Sequence, residues 1–184
     1  MKNKKDLIMP TLVLTVICLV ASAALGFTNQ ITQPIIAAAQ EAAAREARLQ
    51  VLPSADDFTQ VTGYTTENIV DVYEANNGAG YAITANAKGY GGNLQVMVGI
   101  DAEGKIADTQ VLICNETPGL GSRVAEDPYR SMYPGKGADL EGVDIISGST
   151  VSSRAFEAAV LSAFQVFGEV SGADVGAEIG RAHV

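Results

Sequence analysis

The sequence predicts an α+β protein: an N-terminal transmembrane helix followed by a domain in which an antiparallel sheet is flanked by helices. Three observations carry this. Residues 7–27 form one apolar run without a charge; four short runs of strand-like alternation, joined by turn sequences, lie between residues 68 and 114; and residues 153–170 repeat apolar side chains at helical spacing. Consecutive strands with short links followed by a helix mark helices segregated from an antiparallel sheet.

The first element is "LIMPTLVLTVICLVASAALGF", Leu7 to Phe27, 21 residues. As a helix it is about 31 Å long, the thickness of a bilayer's hydrocarbon. Lys2, Lys4 and Lys5 precede it, and lysine before a first apolar segment holds that end in the cytoplasm. The expected division is a cytoplasmic N-terminus at 1–6, a membrane helix at 7–27, a connecting helix at 28–54 and an extracytoplasmic domain at 55–184. A cleaved secretory signal competes with the anchor, because Leu7 to Val20 has the length of a signal core and Ala21-Ser22-Ala23 fits a cleavage site. Ile17 before Cys18 is too large for lipoprotein processing. In the connecting segment, Pro34 suits a first helical position, and the alanines, glutamates and arginines up to Leu49 are strong helix formers. Its apolar positions Ile35, Ala38, Ala39, Ala42 and Leu49 are mostly small, which predicts light packing, and Pro53 ends the helix.

Four strands are expected next, at 68–75, 81–87, 93–100 and 106–114. The turn sequences "NNGAG", "KGYGG" and "DAEGK" separate them, and such short links favour an antiparallel meander. Leu94, Val96, Val98 and Ile100 alternate along the third strand and so share one face. From Asn115 to Glu141 three prolines and many glycines predict a loop with at most one short helix, and an irregular stretch of this length inside a compact domain is more often functional than idle. Phe156, Val160, Phe164 and Phe167 then mark the buried stripe of a helix over 153–170. The tail "SGADVGAEIGRAHV" reads as a loose or short-helical end.

Composition excludes several chemistries. Residues 28–184 carry nine Lys and Arg against twenty Asp and Glu, a net charge of −11, which repels nucleic acid. His183 is the one histidine and the next-to-last residue, so neither a Ser-His-Asp triad nor a histidine metal site has its raw material. No calcium-loop spacing is present and no metal ligand set is assigned. Cys18 lies in the membrane run and Cys114 in the outer domain, so no disulfide framework is expected, and Cys114 reads as a small apolar residue at a strand end.

One stretch stands apart: "DIISGSTVSSRAF", residues 144–156, with five hydroxyls around one glycine. Ser147 to Ser153 ends where the amphipathic helix begins, so backbone N–H groups and the positive end of the helix dipole face whatever Thr150 carries. That environment suits a phosphate; Ser and Thr before a helix also serve as caps with no further role.

Asp144-Ile145-Ile146-Ser147-Gly148-Ser149-Thr150 resembles the flavinylation motif D-x-x-[ST]-G-A-T of FMN-binding domains, with Ser149 where alanine is usual. "NETPGLGSR" (115–123) is similar to the E-T-P-G-L-G loop, and "KGYGG" (88–92) to the glycine-rich turn, of the G subunit of the Rnf electron-transport complex and of its relative, the C subunit of the sodium-translocating NADH:quinone oxidoreductase. "REARLQVLPSADDF" (45–58) also has the look of that family. The resemblance runs over nearly the whole chain, with its motifs in family order.

The resemblance implies an FMN-binding domain with FMN held covalently, through a phosphodiester to Thr150. It implies an electron carrier, not catalytic alone, in a membrane complex coupling electron transfer between ferredoxin and NAD⁺ to movement of Na⁺ or H⁺. The implied partners are the other membrane subunits and a magnesium-dependent FMN transferase that uses FAD; threonine is a weak nucleophile and no internal base is evident, so a separate enzyme must activate it. Asp144, Ser147, Gly148 and Ser149 would then be partly a recognition sequence. Around the cofactor, Glu116, Thr117, Gly119, Leu120 and Gly121 form the second segment, in which Gly119 and Gly121 permit close approach of a flat ring and Leu120 offers it an apolar face. Tyr90 is the residue of interest in the third, and Lys88 or Arg123 could offset the phosphodiester anion. Plain readings stand beside these: a tight proline-glycine turn at 118–121 and a bend between strands at 88–92. Two functional alternatives stay open, a free-standing flavinylated electron-transfer or reductase protein and a non-redox exported binding or scaffold module.

Overall fold

The computed structural model describes residues 4–173 together with Val175 and Ile179; Lys2, His183 and most of the expected loose tail lie outside the described residues. The chain divides into two compact units, residues 1–43 and 44–184. The first unit is helical. Helix α1 spans Lys4–Val51, and within it Met9–Gln33 has a mean hydropathy of 2.2 and is entirely exposed, a helix long and apolar enough to cross a membrane. The expected helix start at Pro34 is not a start: the helix runs through Pro34, as a proline in a long helix can when its neighbours hold the remaining backbone bonds.

In the second unit the last turns of α1 precede a five-stranded antiparallel meander, β1 (Phe58–Gln60), β2 (Ile69–Ala75), β3 (Gly80–Lys88), β4 (Asn93–Asp101) and β5 (Ile106–Cys114), in spatial order β1-β2-β3-β4-β5. Four strands match the sequence expectation to within a residue at most ends. The three-residue β1 carries no alternation that a sequence could reveal. A short 3-10 turn η1 (Gly121–Ala125), helix α2 (Asp127–Arg130) and helix α3 (Thr150–Ser171) complete the unit.

The pleat sends alternate residues to opposite faces, and both faces are covered. Leu94, Val96, Val98 and Ile100 point together into the main core, where they meet Phe156, Ala159, Val160, Phe164 and Phe167 of α3. On the other face Ala82 and Met97 pack against Ala47 and Val51 of α1, while Arg48 lies over the Tyr73 ring at 3.8 Å from its centroid. The contact there is close because it is made through glycine: a Cβ on Gly99 would stand 2.0 Å from the Val51 carbonyl oxygen. The buried stripe of α1 is thus Ala47, Arg48 and Val51, whereas Leu49 remains 39% exposed.

The irregular segment contains two short helical turns instead of at most one, and its second half is core. Val124, Tyr129, Tyr133 and Ala138 are buried, and the rings of Tyr129, Tyr133 and Phe156 stack within 4.8–5.5 Å of one another. Tyr133 donates its hydroxyl to that of Tyr129 at 2.9 Å. Burial pushes the Tyr133 hydroxyl pKa far above its ordinary value, so this ring is a neutral packing group. Packing of these aromatic residues leaves residues 115–121 as the part of the segment free to build a site.

Candidate functional site

Three segments converge at the N-terminal end of α3: the turn 88–92 between β3 and β4, the loop after β5, and residues 147–152. Their meeting encloses a cleft of about 340 Å³ lined by Tyr90, Glu116, Thr117, Leu120, Gly121, Gly148, Ser149, Thr150, Val151 and Ser152. Eight of the thirteen residues singled out in the sequence therefore lie together. Gly119 sits at φ +74° with open space around it, outside the lining. Asp144 and Ser147 are exposed and outside the lining.

Glu116 joins the three segments. It is 7% exposed, and its Oε2 accepts hydrogen bonds from Gly91 N–H at 3.1 Å and from the Ser152 hydroxyl at 2.9 Å. Gly121 makes that arrangement possible, since a Cβ there would meet Glu116 Oε2 at 2.5 Å and Ser152 Oγ at 2.7 Å. The glycine of the E-T-P-G-L-G loop is thus fitted to the protein's own carboxylate. Gly121 thus has a packing role within the protein, and Leu120 beside it is exposed, 48% accessible.

Helix α3 begins at Thr150, three residues earlier than the apolar pattern indicates, because the first turn is hydroxylated: Ser152 and Ser153 are inside the helix and buried. Ser149 occupies the capping position without capping. Its hydroxyl donates instead to the Leu120 carbonyl at 2.7 Å, tying the S-G-S-T turn to the loop. Ser153 Oγ accepts from Ile146 N–H at 3.2 Å, and Gly148 makes the turn at φ +82°, a conformation in which glycine has no steric penalty.

The hydroxyl cluster is therefore not a set of caps. Ser149, Ser152 and Ser153 are used as internal ties, and the helix N-terminus keeps its partial positive charge for a ligand. Thr150, by contrast, is exposed at the mouth of the cleft. No histidine lines the cleft, and the Glu116 carboxylate holds Gly91 and Ser152 through Oε2 while its buried Oε1 has no partner. Among the described residues no group of His, Cys, Asp and Glu is arranged to hold a metal ion.

The residues fit a flavin nucleotide. A threonine hydroxyl at an uncapped helix start suits a phosphoryl group, and the exposed Leu120 and Tyr90, the latter 78% accessible, offer apolar and aromatic surface beside it. Arg123 lines neither this cleft nor its neighbour, whereas Lys88 lines a second cleft together with Arg154. Sequence reasoning missed Arg154, Val151 and Ser152; a helix beginning at Thr150 would have flagged Arg154 as lying one turn along the same face.

Comparison with known proteins shows what the chain is similar to. The profile of the FMN-binding domain matches residues 89–165, which include all of the cleft lining. The chain is 33% identical over 189 residues to the G subunit of the Na(+)-translocating ferredoxin:NAD(+) oxidoreductase complex of Acetobacterium woodii, covering 87% of this chain and 91% of that one. It is 27% identical over 177 residues to the G subunit of the proton-translocating ferredoxin:NAD(+) oxidoreductase complex of Clostridium ljungdahlii, covering 89% and 93%. Among solved structures, NqrC of Shewanella oneidensis is similar over 62% of this chain and 70% of its own, at 20% identity and a TM-score of 0.47.

Proposed function

Because the chain belongs to the G-subunit family of ion-translocating ferredoxin:NAD(+) oxidoreductase complexes, the Rnf complexes, we propose that it is their covalently flavinylated electron-transfer subunit, with FMN on Thr150. The observation that carries this reading is the placement of Thr150: an exposed hydroxyl, first in α3, beside an uncapped helix start and at the mouth of a cleft inside an FMN-binding domain.

Attachment forms a bond between Thr150 Oγ and the flavin phosphorus. The pyrophosphate bond of FAD would break, AMP would leave, and the threonine proton would pass to a base supplied by the FMN transferase. Bound FMN supplies electron transfer; the protein's residues do the rest. Thr150 holds the phosphodiester, the first turn of α3 meets its charge, and Leu120 and Tyr90 shield the ring. Glu116, through Gly91 and Ser152, keeps the three segments together. Asp144 and Ser147 present the recognition sequence to the transferase.

The helix at Met9–Gln33 anchors the protein as a single pass, with its lysine-rich start in the cytoplasm and residues 55–184 as the extracytoplasmic flavin domain, joined by a connecting helix. Outside the cytoplasm a lost flavin has no pool to be replaced from, so a covalent bond takes over from affinity. The span contains no charge, so the ion path belongs to other membrane subunits. That its relatives are members of such a complex favours this over a free-standing flavoprotein.

Coexpressed with the transferase, the chain is expected to gain the mass of one FMN phosphoryl ester and stay yellow after denaturation. Thr150→Ala should lose both and keep its melting temperature. Covalent flavin in the Thr150→Ala chain would overturn the assignment.

A further inference from the structure

A second cleft, of about 460 Å³, opens between α3 and the ends of β2 and β3, with Lys88, Arg154, Asn68, Asn86 and Val151 in its lining. It shares Val151 with the cleft that holds Thr150. We propose that Lys88 and Arg154 form a cationic subsite for the phosphodiester carried by Thr150. The inference rests on the flavin reading and adds to it which side of the threonine takes the charge.

The argument is electrostatic. Residues 28–184 carry a net charge of −11, so two cations on one cleft are against the trend of the domain. Neither pairs with a carboxylate among the described residues, unlike Arg45 with Asp57 and Arg130 with Asp127. The Thr150 cleft is of opposite character: it contains the Glu116 carboxylate, and no lysine or arginine lines it. A phosphodiester on Thr150 therefore stands between an anion and a pair of cations, and Coulomb energy directs it to the cations.

Local structure supports the same direction. Arg154 follows Thr150 by four residues in α3, the spacing that puts two side chains on one helix face. Its guanidinium offers paired donors that match phosphate oxygens, and lysine adds a point charge. Lys88 ends β3 just before the turn that carries Tyr90. The rim beside it is fixed by backbone and amide bonds, Asn86 N–H to Asn68 O at 2.7 Å and Asn93 Nδ2 to Asn86 Oδ1 at 3.3 Å. Placing the charge here leaves the Leu120 side for the apolar part of the cofactor.

The test uses the full chain loaded by its transferase, with intact mass to count attached flavin and ³¹P NMR to read the phosphodiester. In Lys88→Met, Arg154→Met and the double variant the resonance is expected to move stepwise toward its position in the urea-unfolded loaded protein. Arg123→Met should leave it in place, and Lys88→Arg with Arg154→Lys should restore it. If attachment itself falls, the charge-conserving pair should restore that too. A loaded double variant whose resonance coincides with the wild type overturns the subsite, as does a loss of attachment that the charge-conserving pair fails to repair. A wild-type chain with no attached flavin is a separate failure, of the flavin reading itself, and is read directly from the mass.

Discussion

The two ends of helix α3 are made of opposite materials. Beyond Ala155 the inward side chains are Phe156, Ala159, Val160, Phe164 and Phe167, all buried against the sheet. Before it stand Thr150, Ser152 and Ser153, and the neighbouring segments are held by single hydrogen bonds: Ser149 to Leu120, Ser152 and Gly91 to Glu116. Burial is non-directional and fixes where the helix lies; hydrogen bonds are directional and fix how three loops meet. The apolar end makes the helix a rigid mount, and the polar end uses that mount to hold one hydroxyl out to solvent.

The largest effect should come from the apolar end. Phe164→Ala empties a fully buried position and is expected to cost about 3–5 kcal/mol, measured by urea unfolding. Glu116→Ala probes the polar end. It leaves Ser152 and the Gly91 N–H without their acceptor, at a cost of about 1–3 kcal/mol, and amide exchange should speed up in the 88–92 turn while the sheet stays protected. Equal loosening of both regions would mean that the two ends are not separable.

The smallest effect concerns a polar tie at the far end of the helix. Glu169 accepts from the Thr65 N–H at 2.7 Å and from the hydroxyls of Thr65 and Thr66. The Thr65 backbone bond first, and then the hydroxyls, hold its carboxyl pKa below the ordinary value of 4.5. A lowered carboxyl pKa stabilises the folded state above the ordinary value, and that contribution disappears as pH falls through the lowered one. Segment 64–66 should therefore exchange faster below about pH 4.5, and Glu169→Gln should remove that pH dependence without touching the Thr150 cleft.

Much of this was legible in the chain itself. The period-two alternation of β2 to β5 and the glycine turns between them define the meander, because both are local consequences of the pleat and of turn geometry. The phenylalanine stripe of α3 is local in the same sense. Where the apolar signal stops, so does the legibility: the hydroxylated first turn of α3 has no apolar stripe, and β1 has no alternating pattern. The irregular segment divides into a packed aromatic half and a site-forming half only because Tyr129 and Tyr133 find Phe156, a partner more than twenty residues away.

The candidate site follows the same rule. Thr150 and the E-T-P-G-L-G loop are recognisable as motifs, since each motif is contiguous. That the loop's glycine is shaped around Glu116, that Ser149 serves Leu120 instead of the helix, and that Lys88 joins Arg154 while Arg123 stands apart are all relations between segments distant in sequence. The sequence alone determined the membrane-length helix, four of the five strands, the buried stripe and the motif that contains the threonine, because each depends on neighbouring residues. Only the tertiary structure decided which side chains meet at that threonine, because hydrogen bonds and charges act across a few ångströms of space, whatever the number of residues between them.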